Sequence, residues 1–188
     1  MKFLLQVSAG VDRATALIGR AASWLVLLVV VISAGNAVVR KAFNSSSNAL
    51  LEVQWYLFAA VFMLMAAYVL QRNAHVRIDF VSSRLTARTR AWVDVFGLLV
   101  FVLPLCGLLI HLGWPTVADA WRNGEVSPNA GGLVRWPVYA LLPAGMGLLL
   151  VQSLSELVKR VAFLRGLAPD PCAAADAPAL LPADAGSN

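Results

Sequence analysis

Residues 50–70 read LLEVQWYLFAAVFMLMAAYVL. As an α-helix rising about 1.5 Å per residue, this stretch is about 32 Å long, enough to cross the hydrocarbon core of a bilayer. Glu52, close to its start, is the only charged residue in it. Backbone N–H and C=O groups find no water in lipid, so a crossing segment must bond internally. The stretch lacks the polar alternation of a barrel strand and is therefore predicted to be helical.

Three more apolar runs flank it. The first covers about 21–39 (AASWLVLLVVVISAGNAVV), the third about 91–114 and the fourth about 138–158. The 188-residue chain is 60% hydrophobic and 13% charged, with a mean hydropathy of +0.74, far from a soluble domain's mixture. The expected fold class is all-α, an integral membrane protein with four transmembrane helices. Residues 1–20 form an N-terminal segment, 21–165 the membrane domain and 166–188 an Ala-, Pro- and Asp-rich tail expected to be disordered. Lys2 ahead of Phe3, Leu4 and Leu5 has the start of a signal peptide, but Gln6, Asp12 and Arg13 interrupt it, so no cleavage is expected.

Basic residues near span ends are retained on the cytoplasmic side. Eleven of the 15 Lys and Arg residues lie before span one, between spans two and three, or after span four; Arg40, Lys41, Arg122 and Arg135 lie on the other face. Both termini are therefore expected in the cytoplasm. The strip RNAHVRIDFVSSRLTARTR (residues 72–90) holds five arginines against one aspartate. It reads as an ordinary cytoplasmic loop or, since Ile78, Val81, Leu85 and Trp92 recur at helical spacing, as a short amphipathic interfacial helix on anionic lipid headgroups. The basic balance needs no nucleic acid to explain it.

Membrane enzymes usually reveal themselves by ionisable residues within their spans. Here His75 lies just outside span two and His111 inside span three, so the chain cannot supply facing haem ligands at one depth. Cys106 and Cys172 have no pairing spacing. No metal-ligand cluster, nucleophile elbow or phosphate loop is present, and no cofactor is expected. The polar residues in or beside the spans are Asn36, Glu52, Asp94 and Gln152. Glu52 either faces protein, water or a basic partner such as Arg40, or satisfies the N-terminus of its helix. Pro104 and Pro143 each remove a helix hydrogen bond, whereas Pro137 sits where a helix begins. Ala140, Ala144, Gly145 and Gly147 on span four, with Ser33 and Ala37 on span one, allow close helix approach. Trp114, Trp121, Trp136 and Tyr139 bracket a turn-rich loop, RNGEVSPNAGG (residues 122–132), as an interfacial aromatic belt.

Three stretches carry a family resemblance. RNAHVRID supplies Arg72, His75, Val76, Arg77, Ile78 and Asp79 at the exit of span two. GNAVVRKAFNSSSNALLEVQWYLF (residues 35–58) supplies Asn36, Arg40 and Glu52, and SPNAGGLVRWP (residues 127–137) precedes a proline-containing span with Gln152. Over about residues 21–165 the chain resembles the DctQ-type small membrane subunit of tripartite ATP-independent periplasmic (TRAP) transporters. It departs in Val53, where many members have a second acid, and in Ala74, where glycine is frequent.

The resemblance implies a non-enzymatic scaffold in the bacterial inner membrane. Its partners would be a large multi-span elevator-type permease subunit and a periplasmic substrate-binding protein that delivers an organic acid or related solute. Asn36, Arg40, Glu52, Arg72, His75, Arg77, Asp79 and Gln152 would then be subunit-interface or architectural residues. Two other classes stand beside it: an electron-transfer or enzyme accessory subunit with His111 as a ligand, and a self-sufficient homodimeric exporter.

Overall fold

The computed structural model describes residues 2–43, 47–72 and 85–171. Four helical rods account for most of them, and the fold is all-α. α1 runs Lys2–Phe43 and α2 runs Asn48–Gln71. α3, Ala87–Gly97, continues through a π-helical turn at Leu98–Val102 into α4, Leu103–Arg122. α5 runs Trp136–Leu164. All four rods are long and apolar enough to span a membrane.

The rods extend past the apolar runs that announce them. α1 has 42 residues, about 63 Å, roughly twice a hydrocarbon core. Its early part is helical because Ser8, Thr15, Gly19 and Ala22 share one buried face. Hydropathy averaging misses such a face of small residues. The large apolar side chains point the other way, Trp24 being 71% exposed, with Leu27, Val30 and Val31 also outward. Small residues inside and bulky ones outside is the arrangement expected where lipid is the solvent and helices associate by close packing.

Two glycines set the closest approaches between helices. A Cβ on Gly19 would lie 2.4 Å from the Tyr68 ring of α2, and one on Gly145 of α5 would lie 2.8 Å from the Met63 backbone carbonyl oxygen of α2. Among the small residues expected to admit a neighbour, Gly145 does so, while Ala144, Ser33 and Ala37 are exposed and Gly147 faces open space.

α5 organises the array. It packs against α1, α2, α3 and α4, while α1 pairs with α2. Pro137 lies in its first turn as expected. Pro143, inside the helix, is buried near Gly113 of α4, where a Cβ would meet the Pro143 Cδ at 3.6 Å. The π turn lies just before Pro104: Leu103 N–H bonds to the Leu98 carbonyl, five residues back. That wider turn accommodates a residue with no N–H to donate, so the rod continues through Pro104.

The interfacial helix expected between spans two and three falls mostly on residues outside those described. The described part begins at Leu85. Thr86 caps α3, its hydroxyl accepting from Thr89 N–H at 3.3 Å.

Two polar clasps as the candidate functional site

At the end of the array where α1 begins and α5 finishes, polar residues of three helices close on one another. Asp12 of α1 is held from α5: its Oδ1 accepts from Gln152 Nε2 at 2.8 Å and from Ser155 Oγ at 3.2 Å, and its Oδ2 pairs with Lys159 Nζ at 3.0 Å. Gln152 Oε1 accepts from Thr15 Oγ1 at 2.8 Å, and the Ser8 and Ser155 hydroxyls bond at 2.7 Å. Glu156 pairs with both Lys159 and Arg160. Arg160 Nε reaches across to Asp94 Oδ2 of α3 at 3.0 Å. Gln152, Glu156 and Arg160 are 0%, 1% and 2% exposed.

Buried charges are tolerated when paired and hydrogen-bonded, and here the Asp12, Asp94 and Glu156 carboxylates meet Lys159, Arg160 and neutral donors. Glu156, Lys159 and Arg160 meet because residues three and four apart share a helix face. Asp12 and Asp94 are brought in by packing alone. Gln152, read from the sequence as one of four polar residues in or beside the spans, is the hub of this clasp. Asp12 and Thr15 were not singled out, because their partner Gln152 lies 140 and 137 positions further along the chain.

The second clasp lies at the opposite end. Residues 125–135 form a small hairpin: Ser127 N–H bonds to the Leu133 carbonyl and Arg135 N–H to the Glu125 carbonyl, each at 2.9 Å, around a Val126–Val134 bridge. Gly131, with φ 72°, takes the left-handed conformation that the reversal needs. Three residues of α2, four apart on one face, strap the hairpin down. Asn48 Nδ2 donates to the Ala130 carbonyl at 3.3 Å, and Tyr56 Oη donates to the Val134 carbonyl at 3.3 Å. Between them Glu52 accepts from Ser127 Oγ, from Asn129 Nδ2 at 2.7 Å and from Leu133 N–H at 2.8 Å.

Of the two roles the sequence left open for Glu52, the structure places it against protein, in the hairpin, rather than on Arg40 or on its own helix end. Arg40 is exposed in the last turn of α1. Beside the hairpin, Arg135 pairs with Glu125 at 3.0 Å and with the Tyr139 hydroxyl at 3.2 Å. The hydrogen bond to Glu125, and then the Tyr139 charge, raise the Arg135 pKa above the usual arginine value, so its proton is retained.

We expect Glu52→Gln to free the hairpin while leaving the helices in place, because an amide presents N–H where the carboxylate accepts. Amides of Ser127–Arg135 should then exchange hydrogen at least about tenfold faster by mass spectrometry. Unchanged exchange there would show that Glu52 does not hold the loop.

Of the remaining predicted residues, Asn36 and Arg72 stand apart from both clasps. Asn36 is buried on α1, its Oδ1 without a hydrogen-bond partner. Arg72 forms the C-terminal cap of α2 and lies over the Tyr68 ring, 5.2 Å from its centroid. His75, Arg77 and Asp79 lie outside the described residues. Among the described residues no three His, Cys, Asp or Glu side chains converge as a metal site.

Four long apolar rods, joined by a polar clasp at one end and a strapped hairpin at the other, define a multi-pass membrane protein. The family model described as Tripartite ATP-independent periplasmic transporters, DctQ component, matches residues 28–163. The chain belongs to this family and is the small subunit of a TRAP transporter. None of the curated proteins compared with it matches.

Proposed function

We propose that this subunit is a fixed scaffold of the bacterial inner membrane, with both termini cytoplasmic, that stabilises a large elevator-type permease. On this reading a periplasmic binding protein delivers an organic acid or related solute, and the permease moves it. The observation that carries the reading is the terminal clasp. Asp12, Gln152, Glu156, Lys159 and Arg160 satisfy one another across helices, which fixes the array in one arrangement rather than opening a path through it. Arg72, His75, Arg77 and Asp79 would anchor the inner end of α2 on the permease or on anionic headgroups.

The test is an affinity pull-down of the tagged chain from mildly solubilised native membranes, with liposome uptake measured on the products. A large multi-span permease should co-purify, and uptake should require both chains together with the binding protein. Recovery of this chain alone, or uptake by liposomes holding only this chain, would refute the scaffold role.

A further inference from the structure

Beside the terminal clasp, α1 and α5 part to leave a groove. Its two walls repeat one pattern: Leu4, Val7 and Val11 on α1, and Val151, Leu154 and Val158 on α5, each set spaced by three and four residues and so held on one helix face. The floor is the Ser8–Ser155 pair, whose hydroxyls bond at 2.7 Å. Two small residues bring the helices together there, and the longer side chains beside them leave about 190 Å³ of space. An apolar cavity of about 150 Å³ stays dry and accepts a hydrocarbon guest.

Leu4, Val7, Val151 and Leu154 are each a little under half exposed, so the groove opens sideways, out of the bundle. Along α5 it covers residues 151–158, about 10 Å, which is the last part of the fourth apolar run. What lies beside that run is acyl chain.

A charge stands at the groove's mouth. Arg165 is seven residues beyond Val158, as Val158 is seven beyond Val151, so the three share one stripe of α5. Arg165 is the C-terminal cap of α5 and is exposed. Among the described residues its side chain has no ion pair or hydrogen bond, whereas Lys159 and Arg160 are engaged by Asp12, Glu156 and Asp94. Helical side chains lean toward the helix N-terminus, so an arginine at this position is placed to reach back to the mouth. A guanidinium binds a phosphate through paired hydrogen bonds, and basic residues at a span end attract anionic lipid.

We infer that the groove between α1 and α5 is a phospholipid site. One acyl chain lies between the Leu4–Val11 and Val151–Val158 walls, and the phosphate of a net-negative headgroup sits on Arg165. A bound chain touches α1 and α5 together beside the Asp12 clasp, so occupancy stabilises their pairing. The inference depends on the membrane-spanning fold and not on the scaffold reading, and failure to recover a permease would leave it standing.

The experiment measures thermal unfolding of the full chain in detergent with added phosphatidylglycerol, with phosphatidylcholine of the same acyl chains, and with inorganic phosphate. Phosphatidylglycerol should raise the unfolding temperature by several degrees, and the other two should have little effect. Arg165→Ala should weaken the phosphatidylglycerol response at least about fivefold, while Arg165→Lys keeps most of it. Val7→Trp, which fills the groove, should abolish it. Arg13→Ala is the control for general charge: Arg13 is exposed and lies two residues, about 200° around the helix, from Val11, so the response should be unchanged. Phosphatidylglycerol with a photoreactive acyl chain should label peptides holding residues 4–11 and 151–158. An undiminished response in Arg165→Ala, an equal loss in Arg13→Ala, an equal response to phosphatidylcholine or to inorganic phosphate, or labelling spread evenly onto the outward face of Trp24, Leu27 and Val31 would overturn the site.

Discussion

Gly145→Leu is expected to be among the most damaging single substitutions in the membrane domain. A Cβ at this position would stand 2.7 Å from the Met63 Cβ and 2.8 Å from its carbonyl oxygen. The obstruction is helix backbone, which cannot rotate aside, so α5 and α2 must separate. Overpacking a well-filled site costs about 1–3 kcal/mol when side chains can adjust, and more when they cannot. A loss of about 3 kcal/mol corresponds to a fall of roughly 10 °C in unfolding temperature for a chain of this size. Gly147→Leu supplies the comparison. It is the same change two residues further on, where nothing lies within 4 Å, and it should shift stability by no more than about 0.5 kcal/mol. Equal unfolding temperatures for the two variants in detergent would mean that the Gly145 contact does not hold the array together.

Arg160→Leu is the second large effect, and it acts through charge. Arg160 is 2% exposed and bridges Glu156 of its own helix and Asp94 of α3. Deleting one partner of a buried ion pair typically costs about 3–5 kcal/mol, because the carboxylates left behind lose their compensation. Replacing both members with apolar residues is far milder. The double variant Arg160→Leu with Glu156→Leu should therefore regain much of the stability lost in the single one, a coupling that a double-mutant cycle measures directly. Additive losses from the two substitutions would show that the pair contributes only through packing.

The membrane architecture was legible because lipid imposes a simple rule, and each apolar run lies within one rod. The extent of α1 was harder to see. Its early part is helical for packing against α5, and a window containing Gln6, Asp12 and Arg13 averages to no clear hydropathy signal. Glu52 and Gln152 stood out as polar groups in costly places. Their partners did not, since Gln152 bonds to Asp12 across 140 positions and Glu52 to Leu133 across 81. Spacing along a single helix exposes pairs such as Glu156 and Arg160, and it is silent about groups that only tertiary packing unites. The hairpin read as a turn-rich exposed loop. Its attachment through Asn48, Glu52 and Tyr56 was visible only as three polar-tipped residues at four-residue intervals, a pattern that gains meaning once the loop lies against it.

The central place of α5 bears on how the chain is made. During synthesis the α1–α2 pair can form as soon as both helices have entered the bilayer, since those two contact each other directly. Among the described residues the α3/α4 rod packs chiefly on α5, which is synthesised after it. Both clasps are completed from the same late segment: the hairpin that receives Glu52 directly precedes α5, and Gln152, Glu156 and Arg160 lie within it. A nascent chain that ends before residue 125 would hold three rods while lacking both the hairpin partners of Glu52 and the α5 partners of Asp12. α5 therefore closes on elements made well before it, meeting Asp12 of α1 and Asp94 of α3 from a single helix, so the assembled order of the array depends on that one late segment.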